Sequence, residues 1–278
     1  NKVAVVCFFI IVLLILSCIV VPFFSPFESR EQHLGEVNKG FMTVCTDSRY
    51  EGQHHVHYFG TDNLGRDLFL RAFEGGRVSL MIAFAAVFVN LIVGLIYGGI
   101  SGYIGGAVDT IMMRIVEIVN GIPYLIVVIL LMMVLPKGIF TMVVAYGITG
   151  WTGMARLVRG QVLQLKSQEY IVAAEAMGAK SSRIIAKHLI PNALSVIIIN
   201  VTLAIPSAIF TEAFLSYIGL GVPVPQPSWG VLAKGGQDVF MTYPYQLVVP
   251  AVAISLTMLS FNLLGDGLRD AFDPRLRR

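Results

Sequence analysis

The stretch Val3-Ala-Val-Val-Cys-Phe-Phe-Ile-Ile-Val-Leu-Leu-Ile-Leu-Ser-Cys-Ile-Val-Val-Pro-Phe-Phe24 contains no charged residue. A helix of about 20 apolar residues spans the roughly 30 Å hydrocarbon core of a bilayer. The run is too long for the apolar core of a signal peptide and lacks a small-residue cleavage site, so it reads as a membrane anchor helix. Lys2 precedes it. The chain opens on Asn1 rather than Met, and further sequence ahead of it is expected.

Outward from this run the same pattern recurs. Further apolar spans are expected near residues 78–100, 110–135, 139–157, 193–214 and 246–264. The composition agrees: 56% of the 278 residues are hydrophobic and only 13% charged, against about a quarter charged in soluble domains. This excludes disorder, a basic nucleic-acid binder and most soluble enzymes. The net charge of +3 says little about partners, and three cysteines are too few for a disulfide framework. The expected fold is an all-α membrane protein of six transmembrane helices. Its domains are a first helix at 1–24, an extracytoplasmic loop at 25–77, and a five-helix core at 78–278. The core includes a polar helical segment at 158–191, ended by Pro191, and a tail at 265–278. An even span count puts both termini on one side. Lys2, the six bases from Arg156 to Lys187 and the tail, including Arg275, Arg277 and Arg278, share that side, so the positive-inside rule places it in the cytoplasm.

The chain shows no means of powering itself. A P-loop needs a Gly-rich backbone followed by Gly-Lys-Ser/Thr; Gly178-Ala179-Lys180-Ser181 comes nearest, and Ala179 breaks it. The spans hold few ionisable residues, Arg114, Glu117 and Glu212, rather than the acid and His chains of a proton relay. If ATP drives this protein, another chain binds it.

The segment Gln168-Glu-Tyr-Ile-Val-Ala-Ala-Glu-Ala-Met-Gly178 reads as a short helix with Ser167 as cap, Glu169 suiting the helix dipole and Gly178 as stop. Ser181 or Ser182 is expected to cap a second helix. The small residues at the bend suit either close approach by another protein's backbone or packing against the chain's own helices.

This stretch resembles the cytoplasmic coupling loop of ABC importer permeases. That loop's pattern is Glu-Ala-Ala, Gly, then Ile-x-Leu-Pro; here Val172-Ala173-Ala174, Gly178, His188 and Ile190-Pro191 stand in those places, with Val172, His188 and Ile190 departing from it. Arg156-Leu-Val-Arg159-Gly-Gln and His188-Leu-Ile-Pro191-Asn192 are similar to the peptide and nickel branch of that family. So are His57-Tyr-Phe-Gly-Thr-Asp62-Asn-Leu-Gly-Arg66-Asp67, Gly76-Arg77-Val-Ser79-Leu, Leu215-Ser-Tyr-Ile-Gly-Leu-Gly221 with Ser228-Trp229-Gly230, and Asn262-Leu-Leu-Gly-Asp266-Gly-Leu-Arg269-Asp270 with Asp273-Pro274. Together they cover the chain from His57 to its end.

The resemblance implies the type I ABC importer permease fold and a non-catalytic subunit carrying peptides, most simply oligopeptides, across the bacterial inner membrane. It implies a second homologous permease subunit, one or two cytoplasmic ATPase subunits holding ATP and Mg2+, and an extracytoplasmic peptide-binding protein, with no cofactor or metal in this chain and no nucleic acid. Glu169, Tyr170, Ala173, Ala174, Gly178 and Ala179 then form the coupling site. Dipeptide or nickel transport within the same family is the alternative, followed by an ion-coupled transporter using Glu117 or Glu212.

Other residues carry two readings each. Arg114 and Glu117, three apart on a helix, pair with each other, either lining the translocation path or as a self-neutralised pair. Glu212 has no local partner in the sequence and is a path candidate. Pro123 and Pro206 bend their helices, framing a cavity or only setting shape. Asp62, Arg66 and Asp67 form a hydrogen-bonded outer anchor and are candidates for binding-protein docking. Trp229 either joins that docking surface or sits at the membrane interface. His54, His55 and His57 lack a second ligand cluster and are not read as a metal site.

Overall fold

The computed structural model describes residues 2–50 and 55–272. His54, Asp273, Pro274 and the tail arginines Arg275, Arg277 and Arg278 lie outside the described residues. Lys2–Phe24 forms helix α1. The polar segment after it holds two short 3-10 turns, Leu34–Glu36 and Ser48–Tyr50, and a small antiparallel ribbon. The ribbon pairs β1 (Thr43–Val44) with β2 (Val56–His57), Thr43 opposite His57.

Helix α2 runs Leu68–Ile104 and starts ten residues before the expected Val78. Asp67 causes the early start, because its carboxylate caps the helix by accepting from Leu70 N at 2.7 Å. The third apolar stretch is two helices rather than one, α3 (Gly106–Gly121) and α4 (Tyr124–Val134), meeting at 78°. Pro123 stands at the break, where it disfavours helical backbone at Ile122. The fourth is α5 (Ile139–Thr149) and α6 (Trp151–Lys166), joined at Gly150, which keeps helical dihedrals.

Helix α7 (Glu169–Ala176) is followed by α8 (Ser181–Ile184), a π-turn at Ile185–Leu189 and α9 (Ile190–Tyr217). Pro191 therefore ends nothing: helix runs on from Ser181 to Tyr217, and the π-turn lies just ahead of Pro191, the kind of local adjustment by which a membrane helix takes in a proline. Pro206 lies inside α9 without breaking it. The expected serine caps are absent too. Ser167 Oγ donates back to Gln164 O at 3.1 Å, and Lys180 holds the N-cap position of α8 without a side-chain bond. The Pro- and Gly-rich loop after α9 contains helix α10 (Trp229–Asp238). Helix α11 (Tyr245–Phe272) absorbs the first part of the expected tail.

Among the described residues, four helical runs, α1, α2, the run from α8 through α9, and α11, are long and apolar enough to cross a membrane, and the bent α3–α4 pair makes a fifth candidate. The main core joins Ile11 and Cys18 of α1, Leu80, Ala83 and Val87 of α2, Ile205 and Ile209 of α9, and Phe261 of α11. A second cluster unites Ile82 of α2, Val128 of α4, and Met142 and Ala145 of α5.

The seam between α2 and α6 is closer than ordinary packing. Gly94, Gly98 and Gly102 recur every four residues, and a Cβ on Gly98 would stand 2.3 Å from the Ala155 carbonyl oxygen. Small residues at this spacing let two membrane helices meet backbone to backbone.

Candidate functional site

The elbow formed by α7 and α8 lies at the end of the bundle where α6 and α2 finish. Lys166 Nζ donates to Tyr103 O at 2.6 Å and lies 5.1 Å from the Tyr103 ring centre. Arg159 holds Asp109 through two bonds of 2.5 Å, and Ser101 donates to the same carboxylate. Helix α6 is thereby tied to the α2–α3 turn.

Helix α7 has two faces. Ile171 and Ala174 are buried, three apart and so on one side. Glu169, Tyr170, Val172, Ala173 and Met177 are exposed, with Met177 81% accessible. Gly178 makes the bend at φ +79, and nothing of this chain lies within 4 Å of where its Cβ would be. L-residues rarely adopt that conformation. Ile171 before the bend and Ile184 after it share one apolar cluster with Tyr103 of α2, Val158 and Val162 of α6, Leu189 of the π-turn, and Ala193 and Ile197 of α9. Ala179 packs on its margin. Full burial of an isoleucine is worth roughly 1.5–3 kcal/mol, so each arm is held to three helices while the outer face stays open.

Of the expected coupling residues, Glu169, Tyr170, Ala173 and Gly178 form that open face. Ala174 and Ala179 turn inward. Small residues therefore stand on both sides of α7, Ala173 outward and Ala174 inward. Ile171, Ile184 and the glycine seam were not singled out in the sequence. Gly94, Gly98 and Gly102 were visible there as a four-residue repeat; the isoleucines carry no local mark in so apolar a chain.

The outer anchor gathers at the opposite end. Asp62 Oδ1 accepts from Leu64 N and Arg66 N, and its Oδ2 accepts from Arg66 Nε at 2.7 Å. Asp67 caps α2 and takes a second bond from His57 Nδ1 at 2.7 Å, while His57 Nε2 faces Glu36 at 3.0 Å. Burial opposes charge on His57, yet these two carboxylates raise its pKa above the ordinary value. Burial would raise the Glu36 pKa, but bonds from Thr46 and His57 bring it below the usual range. His57 is thus the hub of the anchor rather than a bystander. Tyr245 and Gln246 of α11 bond into the same segment through Lys39 O and Asn38 Oδ1. Asp62 and Arg66 line a cleft of about 510 Å3, shared with Lys137 and the Pro223–Val224 turn.

Trp229 is no docking surface. It is 1% exposed, donates from Nε1 to Ala72 O at 2.9 Å, and lies on Gly76 of α2. Glu212, partnerless in the sequence, is enclosed: Ser79 Oγ donates to it at 2.6 Å and Ser216 Oγ at 2.7 Å. It joins α2 to α9 instead of facing an open path. Arg114 and Glu117 do pair, at 2.6 Å, and both are exposed. Pro123, also exposed, marks the α3–α4 break.

Residues 91–278 match the binding-protein-dependent transport system inner membrane component, and residues 1–40 match the N-terminal TM domain of oligopeptide transport permease C. The chain belongs to the family of binding-protein-dependent transport system inner membrane components, and is a multi-pass membrane protein. Within that family it is 50% identical to the oligopeptide transport system permease protein OppC of Bacillus subtilis (strain 168), over 100% of this chain and 87% of that protein. Identity to the dipeptide transport system permease protein DppC of the same organism is 48%, over 100% of this chain and 83% of that protein. It is 44% to OppC of Escherichia coli (strain K12), over 100% and 88%. In fold it is similar to the MetNI methionine ABC transporter in an inward-facing conformation. That match has a TM-score of 0.59 and 21% identity, and covers 74% of this chain and 98% of that chain. The family resemblance carried by the motifs therefore holds.

Proposed function

We propose that this chain is the permease subunit of an ATP-driven importer that carries peptides across the bacterial inner membrane. The observation carrying this reading is the elbow: an exposed face around Gly178, spliced by Ile171 and Ile184 to α2, α6 and α9, in a chain with no P-loop. Relatives named for oligopeptide and dipeptide transport support peptides as cargo.

On this reading α5 and α6 together form one span and α3 with α4 another, giving six. Both termini and the elbow then face the cytoplasm. One or two ATPase subunits, holding ATP and Mg2+, grip Glu169, Tyr170, Ala173 and Gly178. A second, homologous permease subunit completes the channel, and a peptide-binding protein delivers cargo to the outer end near Asp62, Arg66 and Asp67.

When the ATPase pair closes, the elbow moves. The shared apolar cluster carries α2, α6 and α9 with it, because a packed core transmits displacement rather than absorbing it. The bent α3–α4 unit at Pro123, with Arg114 and Glu117 exposed beside it, lines the cavity that opens. This chain performs no covalent chemistry.

The test is Gly178→Glu in cells that depend on peptide uptake. Uptake is expected to be lost while the chain still inserts and assembles with its permease partner. Normal uptake by that variant overturns the docking role.

A further inference from the structure

The segment between α1 and α2 brings together three side chains that transport does not use. His33 precedes the Leu34–Glu36 turn, Glu36 ends it, and Cys45 follows β1. All three are buried, at 1%, 2% and 7% exposure. One ligand atom of each lies within 4.8 Å of the others. Cys45 is a free thiol, and the other two cysteines lie in α1, so no disulfide claims it.

The ring of His33 is already set for ligation. Its Nδ1 lies 2.9 Å from Asp47 Oδ2. A carboxylate only accepts, so this contact calls for the proton on Nδ1, the tautomer that leaves Nε2 to a ligand. Arg49 Nη2 stands 3.3 Å from Nδ1 and donates to Asp47 Oδ2 at 2.6 Å. Nε2 is buried and has no hydrogen-bond partner among the described residues; Glu31 Oε2 is 3.9 Å away. A carboxylate behind the far nitrogen is the arrangement that orients metal-binding histidines.

Glu36 is oriented as well. Thr46 N and Oγ1 donate to its Oε1, and His57 Nε2 bonds its Oε2. A cleft lined by Gln32, Glu36, Thr46, Asp47 and Arg49 reaches Glu36 and Asp47 from the surface.

We propose that His33, Glu36 and Cys45 bind a divalent cation of the zinc type, with Asp47 as the positioning residue behind His33. One nitrogen, one carboxylate oxygen and one sulfur suit Zn2+ over Mg2+ or Ca2+, which take oxygen ligands. A thiolate and a carboxylate together neutralise the ion's two charges. Binding forms the metal–sulfur bond and releases the thiol proton to solvent. Tetrahedral bonds of about 2.0–2.3 Å put neighbouring ligand atoms roughly 3.3–3.8 Å apart, so side-chain rotation closes the site. The fourth position falls to Glu31 or to water. The ion would clamp the Leu34–Glu36 turn to the end of β1, independently of the elbow.

The experiment uses the full chain in its assembled complex, purified without a histidine tag and dialysed against a weak chelator. Elemental analysis is expected to find about one zinc per chain, falling at least tenfold in Cys45→Ser and His33→Gln but not in Cys18→Ser. Cobalt added to zinc-stripped wild type is expected to give a near-ultraviolet thiolate-to-cobalt absorption band, absent in Cys45→Ser. The cobalt measurement on wild type needs no variant, so misfolding cannot mask the answer. Absence of that band, or equal zinc in wild type and Cys45→Ser, overturns the proposal.

Discussion

Replacing Gly98 by alanine adds one methyl group to the tightest part of the α2–α6 seam. That carbon would lie 2.3 Å from Ala155 O, 2.9 Å from Val158 Cβ and 3.0 Å from Arg159 N. Carbon settles at roughly 3.5 Å or more from such neighbours, so the helices must part by roughly 1 Å. Two of the three contacts are backbone atoms and cannot rotate aside. Overpacking of this kind costs about 1–3 kcal/mol.

The same substitution also favours helix by about 0.5–1 kcal/mol, which blurs a single measurement. Gly160→Ala removes the ambiguity. Gly160 is on α6, exposed, with nothing within 4 Å of its Cβ position, so it takes the helix gain without the clash. The difference between the two variants isolates the seam: about 1–3 kcal/mol, or roughly 5- to 150-fold in the unfolding equilibrium. Thermal unfolding of the two purified full-length variants in one detergent measures it. Gly98→Ala is expected to melt below Gly160→Ala, and Gly160→Ala at or above wild type. If the two melt together, α2 and α6 are not in backbone contact, and the path from elbow to membrane loses a link.

Two further outcomes follow from burial. Ile171→Ala is expected to cost about 2–5 kcal/mol as a core truncation, whereas Tyr170→Ala, on the open face, shifts stability by no more than about 0.5 kcal/mol but weakens copurification of the ATPase subunit; equal destabilisation by the two would contradict the two-faced reading of α7. Trp229→Ala is expected to lower stability by about 3–5 kcal/mol, seen as a large drop in Tm, and an unchanged Tm would mean the tryptophan is not packed on α2.

Much of the site was legible because its signals are local. The bend at Gly178 follows from a residue type suited to positive φ, and the Arg114–Glu117 pair from helical spacing. Asp62, Arg66 and Asp67 sit close enough in the chain for their bonding to be foreseen. Serine caps and the stop at Pro191 were misread because each depends on which neighbour competes for the same backbone group. Ser167 bonded backwards into α6, and Pro191 was taken into a continuous helix just after a π-turn.

Uncharged runs, the missing P-loop and the small residues of the elbow were decided by composition and spacing, since lipid as solvent demands apolar length and phosphate binding demands a fixed local loop. Folding alone decided that Trp229 turns inward, that Glu212 meets Ser79, a residue of α2, and that His33, Glu36 and Cys45 converge. Those pairings join residues distant along the chain, and in a sequence so uniformly apolar, hydropathy does not reveal which face of a helix meets another helix and which meets lipid.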